Sequence, residues 1–583
     1  MTAFEELKKT FKGNIDESPA TLDLYSHDAS LFEIRPRVVV FPKDVEDVKA
    51  VVKFVTDNKA EDPTLSITAR SAGTDMSGGS IGASIIMDFT RYMNKLKEVT
   101  PEHATIEPGC FYRDLEIETL KLNRIMPSFT ASKEICAVGG MVANNSGGEK
   151  TIKYGKTENY IEKLKVVLAD GNEYEILPLS KSELEAKILH NDFEGNLYKK
   201  IYNLIQDNFE EIQNAKPDVS KNSAGYYLWN VMGREKVLRS DISEAVEAES
   251  IGNFSAEKYS VAHEEKLSRG LPYFDLCRLI CGSQGTLGIV TEITFKLVPV
   301  APYSDVLAMF LPDIKHLSEI VNEVLPFNPD SFESYDDYSM KLAVKFFFDF
   351  FKSLGFWGAI RLGIKFMPEV LMMITGGVPK LILLIEFSGN NEAEVKGKLK
   401  AVEAKLAHFG DKMRIARDQR EAEKYWRIRR ESFNMLRKHV HGKRTAPFID
   451  DIVVKPEYLP EFLPKLQKLI DEYKLVYTIA GHAGNGNFHI IPLMDLNSPF
   501  SADTILELSK KVYTLVHEYK GSITAEHNDG IIRTPFLAQM YGDKIIKLFQ
   551  ETKNIFDPQN ILNPGKKVGG TFDDIKKYIK KKN

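Results

Sequence analysis

Two histidines, His482 and His489, bracket the glycine- and asparagine-rich centre of the stretch GHAGNGNFHI, residues 481–490. TIAGHA and NFHII on either side read as strands, and Gly484-Asn485-Gly486-Asn487 between them suits positive-φ turn positions. A hairpin closed there brings the two imidazoles together across neighbouring strands. Neutral imidazoles held on strands are good ligands for a divalent metal, zinc above all. Taken alone, the spacing describes two ordinary histidines beside a turn more readily than a site. A second pair changes that weighting: Glu526-His527 ends SITAEHNDG, against another turn. Two histidines and a carboxylate make an open three-ligand set with room left for substrate. Adjacent strand residues point to opposite faces, so Glu526 and His527 share one site only where the chain bends. Asn528-Asp529-Gly530 supplies such a bend. With Glu526 as a metal ligand, His527 is available as a base.

Three glycine- and serine-rich loops lie in the first half, at 71–82, 139–148 and 282–288. None is a GxGxxG opening a helix after a strand, so the dinucleotide fingerprint does not apply. In SAGTDMSGGSIG, Gly73, Gly78, Gly79 and Gly82 can let backbone N–H groups approach a pyrophosphate as an anion nest. One such loop is ordinary turn chemistry; three in one half point to a large phosphate-bearing cofactor.

The elements that must position these residues can be read along the chain. VVVF is a β-branched strand, and Pro42 with Asp44 opens VEDVKAVVKFV at helical spacing. SITAR and SIIMDF are short strands, and Asp170-Gly171 turns the hairpin in IEKLKVVLADGNEYEIL. The first ~300 residues are therefore expected to be α+β, with the glycine loops feeding one cleft. After Pro299 come strands SDVLAMFL, KLILLIEFS, APFIDDIVV, KLVYTIAGHA and NFHIIPLMD, with amphipathic helices between them. An antiparallel sheet covered by helices is expected there, resembling a duplicated β-α-β-type unit. A chain of 583 residues exceeds one compact core. The division expected is 1–300, 301–520 and a segment 521–583 that returns to the first domain.

Residues 341–376, KLAVKFFFDFFKSLGFWGAIRLGIKFMPEVLMMITG, interleave phenylalanines with Lys345, Lys352, Arg361 and Lys365. They suit either a helical pair packed on the second domain or a segment docking on a membrane surface or a partner. The net charge of −5 gives no sign of a nucleic-acid partner. The four cysteines form no CxxC pair, which suggests neither an iron–sulfur cluster nor a disulfide framework and fits a reducing compartment. The start, MTAFEELKKTFKGN, lacks the apolar region of a secretory signal, and no uncharged apolar run is long enough to span a bilayer. A cytoplasmic location is expected, with 341–376 as the candidate contact to the inner face of a membrane.

RPRVVVFPKDVEDVKAVV, ARSAGTDMSGG, VGGMVANNSGG and CGSQGTLGIVTEI resemble the FAD-binding domain of the vanillyl-alcohol oxidase / para-cresol methylhydroxylase (PCMH) superfamily. GHAGNGNFH, AEHNDG and FDPQNILNPGK resemble its FAD-linked D-2-hydroxyacid dehydrogenases: D-lactate dehydrogenase, glycolate oxidase flavoprotein subunit and D-2-hydroxyglutarate dehydrogenase. The resemblance spans roughly residues 30–570. It implies a PCMH-type FAD-binding domain with a cap of antiparallel sheet covered by helices. FAD contacts are then expected at Ser71, Ala72, Gly73, Thr74, Asp75, Gly78, Gly79, Val138, Gly139, Gly140, Ala143, Asn145, Gly148, Gly282, Gly285, Gly288, Ile289 and Asn563. His482, His489 and Glu526 match the family's divalent-metal ligands, usually zinc, and His527 its proposed general base. In YWRIRRES, Arg429 matches an arginine that binds the substrate carboxylate, for which a guanidinium fork is suited.

The reaction implied is oxidation of a D-2-hydroxy acid, lactate- or glycolate-like, to the 2-oxo acid, with hydride passing to flavin N5. The electrons would leave to an external acceptor: a quinone, a cytochrome or a partner redox subunit. AGTDMSGG has no histidine where covalent members carry one, so FAD is expected to be non-covalent. The apolar PFI before DDIVV replaces a lysine of some 2-hydroxyglutarate enzymes, which argues against a second, distal carboxylate on the substrate. Gln284 stands where the family usually has glutamate, and some relatives fuse an iron–sulfur domain beyond the point where this chain stops. The rivals are a D-2-hydroxyglutarate dehydrogenase, a non-redox FAD transferase like alkyl-dihydroxyacetone-phosphate synthase, and a non-catalytic flavin-binding subunit.

Overall fold

The structure, a computed structural model, describes residues 4–232, 274–336, 379–418, 420–423, 425–426, 429 and 443–581. The apolar-basic stretch 341–376 lies outside the described residues, so neither reading of it meets the structure.

Val38–Phe41 is buried along its whole length, as a β-branched run must be when covered on both faces. It lies in a four-stranded sheet of spatial order Asn14–Asp16, Val38–Phe41, Ile85–Asp88, Ile67–Arg70. The last three strands are parallel. The crossover helix Val45–Asn58 is capped by Asp44, whose carboxylate accepts from the Asp47 amide. Its apolar stripe, Val48, Val51, Val52 and Val55, is buried against that sheet. A second sheet is antiparallel: Leu96–Val99, His103–Ile106, Ile289–Lys296, Ile161–Val167, Glu173–Ile176. The Asp170-Gly171 turn closes its outer hairpin, with Gly171 at φ 81°. The strands Ile67–Arg70 and Ile289–Lys296 adjoin the glycine-rich loops 71–82 and 282–288, whereas the expected loop 139–148 is helical over Val138–Asn144.

The third sheet has eight strands and is wholly antiparallel. Its spatial order is Lys412–Ile415, Tyr303–Leu311, Leu381–Gly389, Ser331–Asp336, Val476–His482, Asn487–Met494 and Arg444–Thr445. Ile452–Val453 also pairs with Asn487–Met494. Side-chain alternation divides its two faces. Leu307, Met309, Leu383, Ile385, Phe488 and Ile490 share a core with the helices Leu317–Val324, Glu392–Leu406, Leu459–Glu472 and Ser501–Glu518. Val306, Ala308, Ile382, Leu384 and Tyr335 lie on the other face, with Ala480 packed against them. His482 and His489 share the parity of Ala480 and so project from this second face, on which Ala422, Tyr425 and Trp426 also pack.

The chain's last part pairs with its first. Leu562 bridges Ile67, Asn563 donates its amide to the Ile67 carbonyl, and Ile579 bridges Phe32. The architecture is α+β, as the residue pattern indicates. Among the described residues no helix is long and apolar enough to cross a membrane.

Candidate active site

His482 ends the strand Val476–His482, and His489 stands opposite Ala480, two positions back along that strand. The hairpin thus places both imidazoles on one face, with ring centroids 5.3 Å apart. The turn is not built from four positive-φ residues. Ala483–Asn485 forms a 3-10 turn, and only Gly486 of the four central residues takes a positive φ, 67°. A side chain at Gly486 would also strike the Val454 carbonyl.

Glu526 arrives by a bend rather than on a strand. One oxygen of Asp451, Oδ2, accepts from Thr524 Oγ1 and from the amides of Ala525, Glu526 and His527. The chain curls around that carboxylate, and Asn528 follows at φ 65°. Asp451 itself sits at φ 68° and is tethered by Asn487 Nδ2, so the hairpin's asparagine also orders the acidic bend. The outcome is convergence: ligand atoms of His482, His489 and Glu526 lie within 4.8 Å of one another. His482 Nε2 is 3.0 Å from Glu526 Oε1.

This donor set fits a divalent cation. Each histidine turns its Nδ1 to a buried carboxylate, His482 to Glu333 at 2.6 Å and His489 to Asp450 at 3.1 Å. Nδ1 is then the bonded nitrogen and Nε2 is left for the ion, the usual carboxylate–histidine–metal arrangement. His527 stacks on His489 with centroids 5.0 Å apart and bonds Asp450 Oδ2 through Nδ1 at 2.7 Å. Arg429 is buried and pairs with Glu333, Nη2 to Oε2 at 2.8 Å. Lys221, wholly buried, places Nζ 2.5 Å from Glu526 Oε1.

Four buried carboxylates, Glu333, Asp450, Asp451 and Glu526, therefore face Lys221, Arg429, Arg533 and the imidazoles. Burial alone would push these acids up. For Glu526 the charges of His482 and Lys221 outweigh it and hold the carboxyl well below its usual range. His527 and His489 do the same for Asp450. Burial lowers His527, but Asp451 and Asp450 prevail and raise it to about 9. An imidazolium cannot take up a proton. Positive charge from a cation at the neighbouring ligand set would oppose the carboxylates and favour the neutral ring.

A cavity of about 1040 Å³ runs without interruption from the glycine loops to these residues, large enough for a dinucleotide-sized cofactor. Of the expected FAD contacts, Ser71, Ala72, Gly73, Thr74, Asp75, Gly79, Gly139, Gly140, Ala143, Gly285 and Gly288 line it. A Cβ at Gly140 would meet nothing within 4 Å, so the backbone there fronts open space of the kind a flat cofactor fills. His482, His489, Glu526, His527, Arg429 and Asp450 line the opposite wall.

The remaining expected contacts do not line the cavity; they build the loops from behind. Val138 and Ile289 are core residues. Gly78 faces Phe32 and Ile531, Gly148 the Phe129 carbonyl and Gly282 Asn145. Asn145, at φ 48°, ends a helix and accepts from the Glu158 amide. Asn563 ties Thr68 to the carbonyls of Gly79 and Gln284. The nest is also partly filled by the protein, since Asp75 accepts from the amides of Ser77 and Gly79. Among the described residues the amides of 71–76 make no backbone hydrogen bond, as an anion nest requires.

Several residues of the site escaped the sequence reading. The loop Thr130–Ala137 lines the cavity, and Glu333, Asp450, Asp451 and Lys221 bond to His482, His489, Glu526 and His527. Only the Asp-Asp doublet left a local trace, as two acids facing the apolar IVV.

A glycine-rich cavity over mixed and antiparallel sheets, closed by the third sheet with its cluster of histidines and acids, is the architecture of a flavoprotein of the PCMH type. Solved structures share this fold at 15–16% identity. The 4-ethylphenol oxidase from Gulosibacter chungangensis has a TM-score of 0.65, with 98% of this chain and 97% of that one covered. A p-cresol methylhydroxylase scores 0.63 over 98% and 97%, and an alkyldihydroxyacetonephosphate synthase 0.61 over 96% and 84%. The family profile described as "FAD binding domain" matches residues 36–176, and that of the C-terminal domain of FAD linked oxidases matches 301–567. The chain belongs to the FAD-linked oxidases, and FAD is its cofactor. It is 25% identical over 563 residues to a D-2-hydroxyglutarate dehydrogenase of Pseudomonas putida, covering 95% of this chain and 50% of that one. It thus spans about half the length of that relative. It is 26% identical to a D-lactate dehydrogenase of Anaerostipes hadrus (93% and 92% covered). With glycolate oxidase subunit GlcD of Bacillus subtilis the identity is 23% (95% and 93% covered).

Proposed function

We propose that the chain oxidises a D-2-hydroxy acid, lactate- or glycolate-like, to the 2-oxo acid with non-covalent FAD and a divalent metal, zinc by donor type, held by His482, His489 and Glu526. When bound, FAD accepts the hydride from Cα and the metal polarises the hydroxyl. Arg429, which lines the cavity and pairs with Glu333, anchors the carboxylate. His527, fixed at Nδ1 by Asp450, offers Nε2 to the hydroxyl proton. Residues 1–300 with 521–583 make the flavin side in this reading, and 301–520 the cap. The electrons pass to an external acceptor, and 341–376 is the docking segment, which liposome flotation of the whole chain against its deletion would test.

The observation that carries the proposal is the single cavity joining the glycine loops to the metal-type ligand set. The relatives named for 2-hydroxyglutarate favour a second substrate, the apolar PFI at 447–449 argues against it, and the substrate panel decides. A non-redox transferase shares the fold but has no use for the ligand set. The test is anaerobic stopped-flow with D- and L-lactate, glycolate and D-2-hydroxyglutarate. Flavin bleaching by D-lactate or glycolate is expected. Bleaching by none of the four would contradict the proposal.

A further inference from the structure

The geometry points to Glu333 and Asp450 as bridging carboxylates, each joining one metal-ligand histidine to one substrate-handling residue. The inference rests on the metal-assisted reading above. Glu333 accepts a hydrogen bond at Oε1 from His482 Nδ1 at 2.6 Å and forms an ion pair through Oε2 with Arg429 Nη2 at 2.8 Å. Asp450 gives Oδ1 to His489 Nδ1 at 3.1 Å and Oδ2 to His527 Nδ1 at 2.7 Å. Both acids are wholly buried. Neighbouring Asp451 shows the alternative, since its Oδ2 takes three backbone amides and one hydroxyl. Glu333 and Asp450 instead give both oxygens to side chains of the site.

The two bridges rest on different elements. Glu333 lies on Ser331–Asp336, one position beyond the pairing of Ser334 with Gly481, and so faces His482 across the strands. Asp450 precedes the short strand Ile452–Val453, and its carbonyl is held by Arg533 Nη2 at 2.7 Å. Each bridge therefore has a fixed backbone and two fixed ends. Neither acid is needed as a metal ligand; both are positioning residues. The ion, the carboxylate anchor and the base become one assembly, so displacement at the ion is transmitted to Arg429 and His527.

An amide is the decisive substitute, because it has one acceptor oxygen where the bridge uses two. Glu333→Gln and Asp450→Asn keep volume but leave one end of each bridge facing an N–H₂ group. The experiment uses FAD-loaded, metal-stripped protein titrated with Zn²⁺ against a chromophoric chelator, followed by steady-state kinetics on the D-hydroxy acid that bleaches it. Both variants are expected to keep flavin content and to bind Zn²⁺ about 10–100-fold more weakly. Glu333→Gln should act mainly on KM, through Arg429, and Asp450→Asn mainly on kcat, through His527. Because the bridges sit on separate elements, either variant suffices if the other does not fold. Unchanged Zn²⁺ affinity, or kcat and KM moving alike in both variants, would overturn the bridges and leave the proposed function standing. Failure of the wild-type protein to bind Zn²⁺ would overturn both. Weakened Zn²⁺ binding in the variants, with no bleaching of the wild type, would support the bridges and end the proposed reaction.

Discussion

The two walls of the cavity are built from opposite materials. The flavin wall is rich in exposed backbone: Gly73, Gly79, Gly139, Gly140 and Gly285 line it, and Asp75, one of its acids, is turned onto the loop's own amides. The sheet wall is side chain: buried acids, imidazoles and cations bonded to one another at 2.5–3.1 Å. A backbone wall holds a large, flat, invariant cofactor by shape and tolerates charge changes poorly aimed at it. A charged wall is exacting about atoms, since a buried group left unpaired costs more than the bond it made. The flavin wall should therefore break by added volume and the sheet wall by isosteric loss of charge, each without the other.

The largest effect is expected on the sheet wall. Glu526→Gln should abolish tight metal binding and slow substrate-dependent bleaching by about 10³-fold, several kcal/mol of lost charge stabilisation, while flavin content is kept. Metal analysis and stopped-flow on one preparation check it; simultaneous loss of FAD would blur the division between the walls. His527→Gln should keep metal and flavin and cost roughly 10²–10⁴-fold in kcat. Arg429→Lys should raise KM about 10–100-fold, the worth of a charge-assisted bond, with a smaller change in kcat. On the flavin wall, Gly140→Val places a side chain in open space and should weaken FAD at least tenfold, roughly the weight of a few misplaced contacts, with the metal set intact. Calorimetric FAD titration reads it.

The smallest effect is on stability. In metal-stripped protein His527 is raised from 6.5 to about 9, because Asp451 and Asp450 outweigh burial. The folded state thus holds the proton more firmly than the unfolded chain. This stabilisation is complete below about pH 6.5 and is lost as pH rises through about 9. Tm of stripped protein should fall across that window, and the fall should shrink in His527→Gln and in the metal-loaded enzyme. Equal slopes in all three would show that the carboxylates do not hold the proton on this ring.

What could be read from the sequence follows the range of the interactions. The hairpin of His482 and His489 is local, set by a turn and two strands, and so was visible in GHAGNGNFHI. The bend at Glu526-His527 was visible as turn chemistry, but its cause was not. Asp451 stands some 75 residues upstream, and nothing in DDIVV announces four donors converging on one oxygen. Glu333 and Lys221 are further still, 149 and 305 residues from their partners. In SFESYD a lone glutamate alternating with Phe332 is most simply a solvent-facing strand residue. The same holds for the glycine loops: their presence was legible, while their inward and backward faces were not. Gly140 and Gly148 look alike in sequence, yet one fronts the cavity and the other packs on the Phe129 carbonyl.

One titration tests the central claim, that a cation held by three residues of the sheet wall serves the flavin opposite. FAD-loaded, metal-stripped protein is given saturating D-hydroxy acid anaerobically, and Zn²⁺ is added in fractions of an equivalent. The rapid bleaching amplitude should rise in proportion to bound metal and level off at one ion per chain. Full-rate bleaching before any metal is added would contradict the account.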